Sequence, residues 1–148
     1  MTNNPTVTLT QQNGYQFLID FGLGTPDLLA DEPPPLGSGA GPTPSRLLLA
    51  GVANCLVFSL LTALTKCKQD PGGLAATATA RTERNAQGRI RIAEITIAIR
   101  FGKPAAEMGN LDRVLESFEM FSTTSQSVLA GIALKVSVDD NQGVRLKG

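Results

Sequence analysis

The sequence predicts an α+β fold in a single domain spanning residues 1–148, on three observations. Two β-rich runs flank Asn13-Gly14, an almost unbroken apolar stretch extends from Leu47 to Leu64, and a second pair of alternating runs surrounds Asn85 to Gly88. No β-α-β unit repeats along the chain, which sets this pattern apart from a doubly wound parallel sheet. With 148 residues the chain is long enough to bury one core without disulfide or metal support.

In order, TVTLTQQNGYQFLIDF (Thr6 to Phe21) reads as two antiparallel strands joined at Asn13-Gly14, a dipeptide suited to a two-residue hairpin turn. A short third strand is expected around Asp27 to Ala30. The following DEPPPLGSGAGPTP holds five prolines between Glu32 and Pro44, which forbids regular structure. Ser45 stands where a helix should begin, and LLLAGVANCLVFSLLTAL (Leu47 to Leu64) is close in length to a membrane span. Asn54, Ser59 and Thr62 interrupt it and no second such segment follows, so a buried core helix is expected and no membrane partner. A helix apolar on all sides must be covered on all sides. In so small a domain the cover should include a second subunit, and the zero net charge favours such self-association.

Lys66 and Lys68 suit the helix C-terminus, and Pro71-Gly72-Gly73 ends it. Ala76 to Glu83 alternates as a strand, and Asn85-Ala86-Gln87-Gly88 turns the chain. On the returning strand Ile90 and Ile92 are out of phase with Ile95, Ile97, Ile99 and Phe101, and a β-bulge near Ala93-Glu94 would reconcile them. Leu111, Val114, Leu115 and Phe118 recur at helical spacing, leaving Asp112, Arg113 and Glu116 to water. Ser122 to Leu129 reads as a short helix ended by Gly131, and Ile132 to Val138 as a closing strand.

Several function classes fall away on composition. Thirteen Lys+Arg balance thirteen Asp+Glu, so there is no basic footprint for nucleic acid or an anionic membrane surface. The absence of histidine removes the commonest general base and metal ligand, and no metal or cofactor is expected. The glycines of LGSGAGPTPS lack the Gly-Lys-Ser/Thr ending of a phosphate loop, and Pro42 and Pro44 remove two donors. Asp31-Glu32 and Asp139-Asp140 read as solvated turns. MTNNPTVTLT has neither the basic start nor the apolar core of a secretory signal, so a cytoplasmic location is expected.

Two cysteines remain, Cys55 and Cys67, expected as free thiols in a reducing compartment. Twelve residues of one helix separate them by about 18 Å, against the ~5.5 Å that a disulfide requires. Cys55 reads first as a small buried hydrophobe among Leu, Val and Phe; the alternative is a reactive thiol.

Two segments bear on that choice. DEPPPLGSGAGPTPSRLLLAGVANCL (Asp31 to Leu56) resembles the part of the OsmC/Ohr superfamily in which a Pro- and Gly-rich loop leads into the central helix with the reactive cysteine. STTSQSVLAGIALKVSV (Ser122 to Val138) resembles the region around that family's second cysteine and last strand. The resemblance implies antiparallel sheets wrapped around the long apolar helices of an intertwined homodimer, with a pocket at the subunit interface. It also implies reduction of organic hydroperoxides: a first cysteine attacks the peroxide, a second closes a disulfide, and an external dithiol resets the enzyme. Cys55 takes the attacking role, with Ser45, Arg46 and Ser122 at the positions of the family's other site residues.

Those positions depart from the pattern. Ser122 stands where the second cysteine would fall, Ser45 and Arg46 stand near the expected glutamate, and residues 1 to 45 contain no arginine or lysine to hold a thiolate. Arg46 lies about 13 Å along the helix from Cys55; the partner's Arg81, Arg84 or Arg89 is another source of charge. Without a cation nearby, the Cys55 pKa is expected at or above the free value of about 8.5. The sequence thus predicts an OsmC-like redox protein working through Cys55 with an external thiol, or a non-catalytic dimer of the same fold that holds a small apolar ligand.

Overall fold

The structure, a computed structural model, describes residues 4–148. The chain folds as two compact units, Met1–Leu48 and Leu49–Gly148.

In the first unit β1 (Thr8–Gln11), β2 (Phe17–Asp20) and β3 (Leu28–Ala30) form an antiparallel sheet in that order. The β1–β2 connection is a three-residue turn rather than the expected two-residue one. Gln12 pairs with Gln16 by N–H to C=O at 2.8 Å, and the Gln16 N–H also reaches the Asn13 carbonyl at 2.9 Å. This encloses Asn13, Gly14 and Tyr15, with Gly14 supplying the positive φ of 56°.

The Pro- and Gly-rich loop is irregular, as expected, yet it is tightly organised around one carboxylate. Asp31 is 2 % exposed. Its oxygens accept from the Glu32 N–H at 2.8 Å, the Ser38 N–H at 3.1 Å, the Ser38 hydroxyl at 2.7 Å and the Ala40 N–H at 3.0 Å. These donors, the Ser38 hydroxyl first, hold its carboxyl well below the usual carboxylate range. The reading of Asp31 as a solvated turn residue is therefore corrected: the prolines prevent the regular pairing that would give these N–H groups backbone acceptors, and this carboxylate accepts from them instead. Gly37 is required here, since a Cβ would lie 2.1 Å from the Glu32 carbonyl oxygen and 2.2 Å from Asp31 Oδ1.

Helix α1 (Pro44–Lys66) opens at Pro44 rather than Ser45. Proline suits a first helical position because its missing N–H would have no partner there, and the Thr43 side-chain oxygen accepts the Arg46 N–H at 3.4 Å.

In the second unit β4 (Leu74–Arg84), β5 (Ile90–Phe101), β6 (Ala133–Asp139) and β7 (Arg145–Lys147) form a sheet in sequence order. Arg81 pairs with Glu94 and Thr82 with Ile92, so Ala93 is the extra residue and the bulge lies where the phase change required it. From there Ile95, Ile97, Ile99 and Phe101 all turn inward and are buried. β5 and β6 pair in parallel, which corrects the expectation of antiparallel strands throughout. The cause lies in the connection: α2 (Leu111–Ser117) and α3 (Thr123–Leu129) lie between these strands and make a crossover long enough to return the chain in the same direction. β7, three residues long, has no counterpart among the expected strands. Asp140 anchors the turn before it, accepting from the N–H groups of Ala105, Gln142 and Val144 at 3.0, 2.8 and 2.9 Å while 2 % exposed. It too is no solvated turn residue.

One stripe of α1, Val52, Leu56, Leu60 and Leu64, is fully buried with the inward face of β5 and with Val114, Leu115, Phe118 and Val138. The rest of the helix is half-buried or exposed. Phe58 is 61 % and Leu61 44 % exposed, and only 22 % of the most apolar 18-residue window is buried, although the helix is long and apolar enough to cross a membrane.

Candidate functional site

Cys55 sits beside the buried stripe of α1 and is half-buried. The segment that approaches it is the start of α3. Ser122 precedes that helix at the position where a serine hydroxyl ordinarily accepts a hydrogen bond from the first-turn N–H groups. It makes no such bond. Its hydroxyl is fully buried with no well-aligned hydrogen bond among the described residues, and it lies close enough to the Cys55 sulfur to favour the thiolate. The uncapped Thr124 and Ser125 N–H groups, free of any helical partner, also face the sulfur, as does the Thr124 hydroxyl.

The electrostatic balance at Cys55 follows. Partial burial pushes the thiol up, but the Ser122 hydroxyl, the Thr124 N–H and hydroxyl, and the Ser125 N–H together outweigh it and hold the pKa below the ordinary thiol value. The expectation of a pKa at or above the free value is overturned. It rested on the lack of a cation, whereas the groups that stabilise the anion here are neutral donors. Among the described residues the groups that lower the pKa are neutral hydroxyl and N–H donors. With Cys67→Ser removing the second thiol, the pH midpoint for alkylating Cys55 should be lower in the native protein than in the urea-unfolded chain. Replacing Ser122→Ala should move the native midpoint upward, because one donor that favours the anion is gone. Stopped-flow alkylation across pH checks both; a native midpoint at or above the unfolded one would contradict this account.

Cys55 opens onto a cavity of about 400 Å³. One wall is a stripe of α1 running from Cys55 and Phe58 to Lys66, continued by Cys67 just past the helix; the other carries Arg113 and Val114 of α2 and, beyond it, Phe121. Of the residues singled out by sequence, Cys55 and Ser122 are brought together. Ser45 and Arg46 occupy the first turn of α1 and are exposed. Within this chain Arg81 is engaged with Glu83 and with Glu94. Sequence reasoning missed Thr124, Ser125 and Arg113. The first two act through backbone N–H groups that nearly every residue type carries, Thr124 also through its hydroxyl, and no local pattern marked either. Arg113 was assigned to the wet face of its helix, which is correct but incomplete, because that face borders the cavity. Among the described residues no group of three His, Cys, Asp or Glu side chains comes together to hold a metal.

Several solved structures share this fold. An OsmC-like protein from Vibrio cholerae is 14 % identical, with a TM-score of 0.77 over 93 % of this chain and 99 % of its own. An organic hydroperoxide resistance protein from Elizabethkingia anophelis is 19 % identical, with a TM-score of 0.71 over 95 % and 100 %. The organic hydroperoxide resistance protein OhrB of Bacillus subtilis is 18 % identical, with a TM-score of 0.64 over 90 % and 98 %. No curated protein matches the chain by sequence. A family model described as OsmC-like protein matches residues 37–137, which include the Pro- and Gly-rich loop from Gly37 on, Cys55, Ser122 and the bulged hairpin. The chain belongs to the OsmC-like family.

Proposed function

We propose that this protein reduces organic hydroperoxides with Cys55 as the attacking thiol and a small external thiol as reductant. The observation that carries the reading is a thiol held below its ordinary pKa by Ser122, Thr124 and Ser125 at one end of a mainly apolar cavity. A lowered pKa raises the share of thiolate at any given pH, and an apolar cavity suits the organic part of a hydroperoxide. In the first step the thiolate attacks the terminal peroxide oxygen. An S–O bond forms and the O–O bond breaks; the sulfur loses two electrons, and the departing alkoxide takes a proton to leave as the alcohol. Two equivalents of external thiol then regenerate Cys55: the first displaces water to give a mixed disulfide, and the second attacks that disulfide and releases the oxidised reductant. Ser122 cannot take the place of the first equivalent, because a hydroxyl does not form a disulfide.

The same reading includes a homodimer. The uncovered apolar surface of α1, with Phe58 and Leu61 exposed, and the 75 % exposed Phe121 are what a second copy would bury.

Cys55→Ser should lower peroxide consumption to the uncatalysed background in an assay with cumene hydroperoxide and dithiothreitol. Equal rates for the two proteins would sink the proposal. One observation favours a second reading, a non-catalytic protein that binds an apolar ligand: among the described residues the groups that act on the sulfur are neutral donors. Under that reading the wild type consumes no peroxide, yet both proteins bind the ligand equally.

A further inference from the structure

We propose that Lys147, on β7, is a positioning residue for the Cys55 site: its ammonium holds the segment that presents Ser122 to the sulfur. As a statement about the geometry around Cys55 this stands apart from the redox reading; its consequence for the rate of attack on a peroxide rests on that reading.

The backbone of Lys147 is tied into the sheet, opposite the fully buried Val138. Its ammonium donates to the Leu115 carbonyl, meets the Glu119 carboxylate at 3.0 Å and lies 5.2 Å from the centroid of the fully buried Phe118 ring. Carbonyls in the last turn of a helix run out of helical partners, and α2 has no basic residue of its own in that turn, so Lys147 supplies the cation. Glu119 belongs to a single 3₁₀ turn, Phe118–Phe121, that leads directly to Ser122. Its own carbonyl accepts the Ser122 N–H at 3.1 Å and the Gln126 side-chain amide at 3.1 Å. The residue whose carboxylate Lys147 grips is thus the residue whose carbonyl fixes the start of α3. On the other side, the Ser122 carbonyl accepts the Gln126 N–H at 3.0 Å and the Ser125 hydroxyl at 3.2 Å. The Ser122 backbone is held from both directions, while its hydroxyl has no bond of its own among the described residues. The place of that hydroxyl beside the sulfur is therefore set by the backbone that carries it, and Lys147 tethers this backbone to the sheet. Other charges do not share the task. Asp112 and Glu116 border a hollow with Lys147, but its ion pair is with Glu119. Arg145, on the same strand, pairs with Asp139 of the neighbouring strand. Lys66 and Arg113, which border the Cys55 cavity, are left unchanged by every substitution below. A partly exposed ion pair contributes little to stability by itself, so loss of Lys147 should loosen the turn rather than unfold the chain.

The test uses the full chain carrying Cys67→Ser, so that iodoacetamide reports Cys55 alone. In that background Lys147→Met should raise the pH midpoint of alkylation by about half a unit, a roughly threefold loss of thiolate below both midpoints. Lys147→Arg, which keeps the cation, should restore most of it. Glu119→Ala should also raise the midpoint, since it removes the other half of the grip. A field acting through space would instead move these two in opposite directions, because one substitution removes a positive charge and the other a negative one. Arg145→Met, which removes a charge from the same strand, should leave the midpoint in place. In a Ser122→Ala background Lys147→Met should raise the midpoint by clearly less, the non-additivity expected when one residue acts through another. Circular dichroism gives the melting temperature of each variant and shows that it is folded. A lower melting temperature with an unmoved midpoint would mark a merely structural role and overturn the proposal. Opposite shifts for Lys147→Met and Glu119→Ala, an equal shift for Arg145→Met, or an undiminished shift without Ser122 would overturn it too. A second arm separates this proposal from the redox reading. The first oxidation of Cys55 by cumene hydroperoxide should be about threefold slower in Lys147→Met below both midpoints and equal to the parent above them. A raised midpoint in a protein that consumes no peroxide would sustain the positioning role and reject the redox reading. Cys55-dependent consumption with an unmoved midpoint would do the reverse.

Discussion

Ser122→Cys should convert the site from one that stops at an oxidised Cys55 into one that closes a disulfide. The Ser122 side chain is fully buried, makes no well-aligned bond of its own among the described residues, and lies close enough to the Cys55 sulfur to act on its ionisation. Serine and cysteine differ by one atom, so a thiol introduced there starts within reach of Cys55. After one equivalent of peroxide, the sulfenic acid on Cys55 should be displaced by the new thiol, with loss of water and formation of an S–S bond. Mass spectrometry of the variant should find the peptides containing residues 55 and 122 joined, and the Cys55 sulfur closed to dimedone. In the wild type, dimedone should label Cys55. The kinetic effect should be as large: recycling of the variant should prefer a dithiol, which reopens a protein disulfide efficiently, whereas a monothiol suffices for the wild type. If the variant remains labelled by dimedone after peroxide, the two side chains do not meet as described.

The contrast between Cys55 and its neighbours also shows what the sequence could convey. The helix, the bulge and the loop were legible because each rests on a local pattern: eighteen nearly unbroken apolar residues, a phase change between Ile92 and Ile95, a run of prolines. The pairing of Cys55 with Ser122 was legible only as family resemblance, since 67 residues separate them and no periodicity spans that distance. What those neighbours do to the thiol was not legible at all. Counting cations predicted a quiet sulfur, but the shift comes from the Ser122 hydroxyl left uncommitted by its own helix, from the Thr124 hydroxyl and from N–H groups at a helix start. The buried roles of Asp31 and Asp140 were hidden for a similar reason. An acidic residue in a loop reads as solvated until the fold brings three or more donors onto it.

The second large effect lies in α1, where two adjacent leucines should behave differently. Leu60 is fully buried within the stripe Val52, Leu56, Leu60 and Leu64, while Leu61 is 44 % exposed. Truncating Leu60→Ala removes buried methyl groups and leaves a void that the neighbouring strand and helix only partly fill, a loss of about 2–5 kcal/mol. Set against a total stability of roughly 5–15 kcal/mol, that is a substantial fraction. For a chain of this length it corresponds to a fall in Tm of roughly 5–15 °C. Leu61→Ala removes the same atoms from a position that the folded chain leaves partly in water, so its intrinsic cost should be much smaller. If a second copy covers this surface, the Leu61 effect should appear instead as weaker association. Association adds stability by mass action, so the Tm of the wild type should rise with protein concentration and that of Leu61→Ala should rise less steeply, while Leu60→Ala should lower the whole curve. Scanning calorimetry across a hundredfold range of concentration separates the two. Equal losses for both leucines at every concentration would show that the buried stripe and the exposed face do not differ as the structure describes.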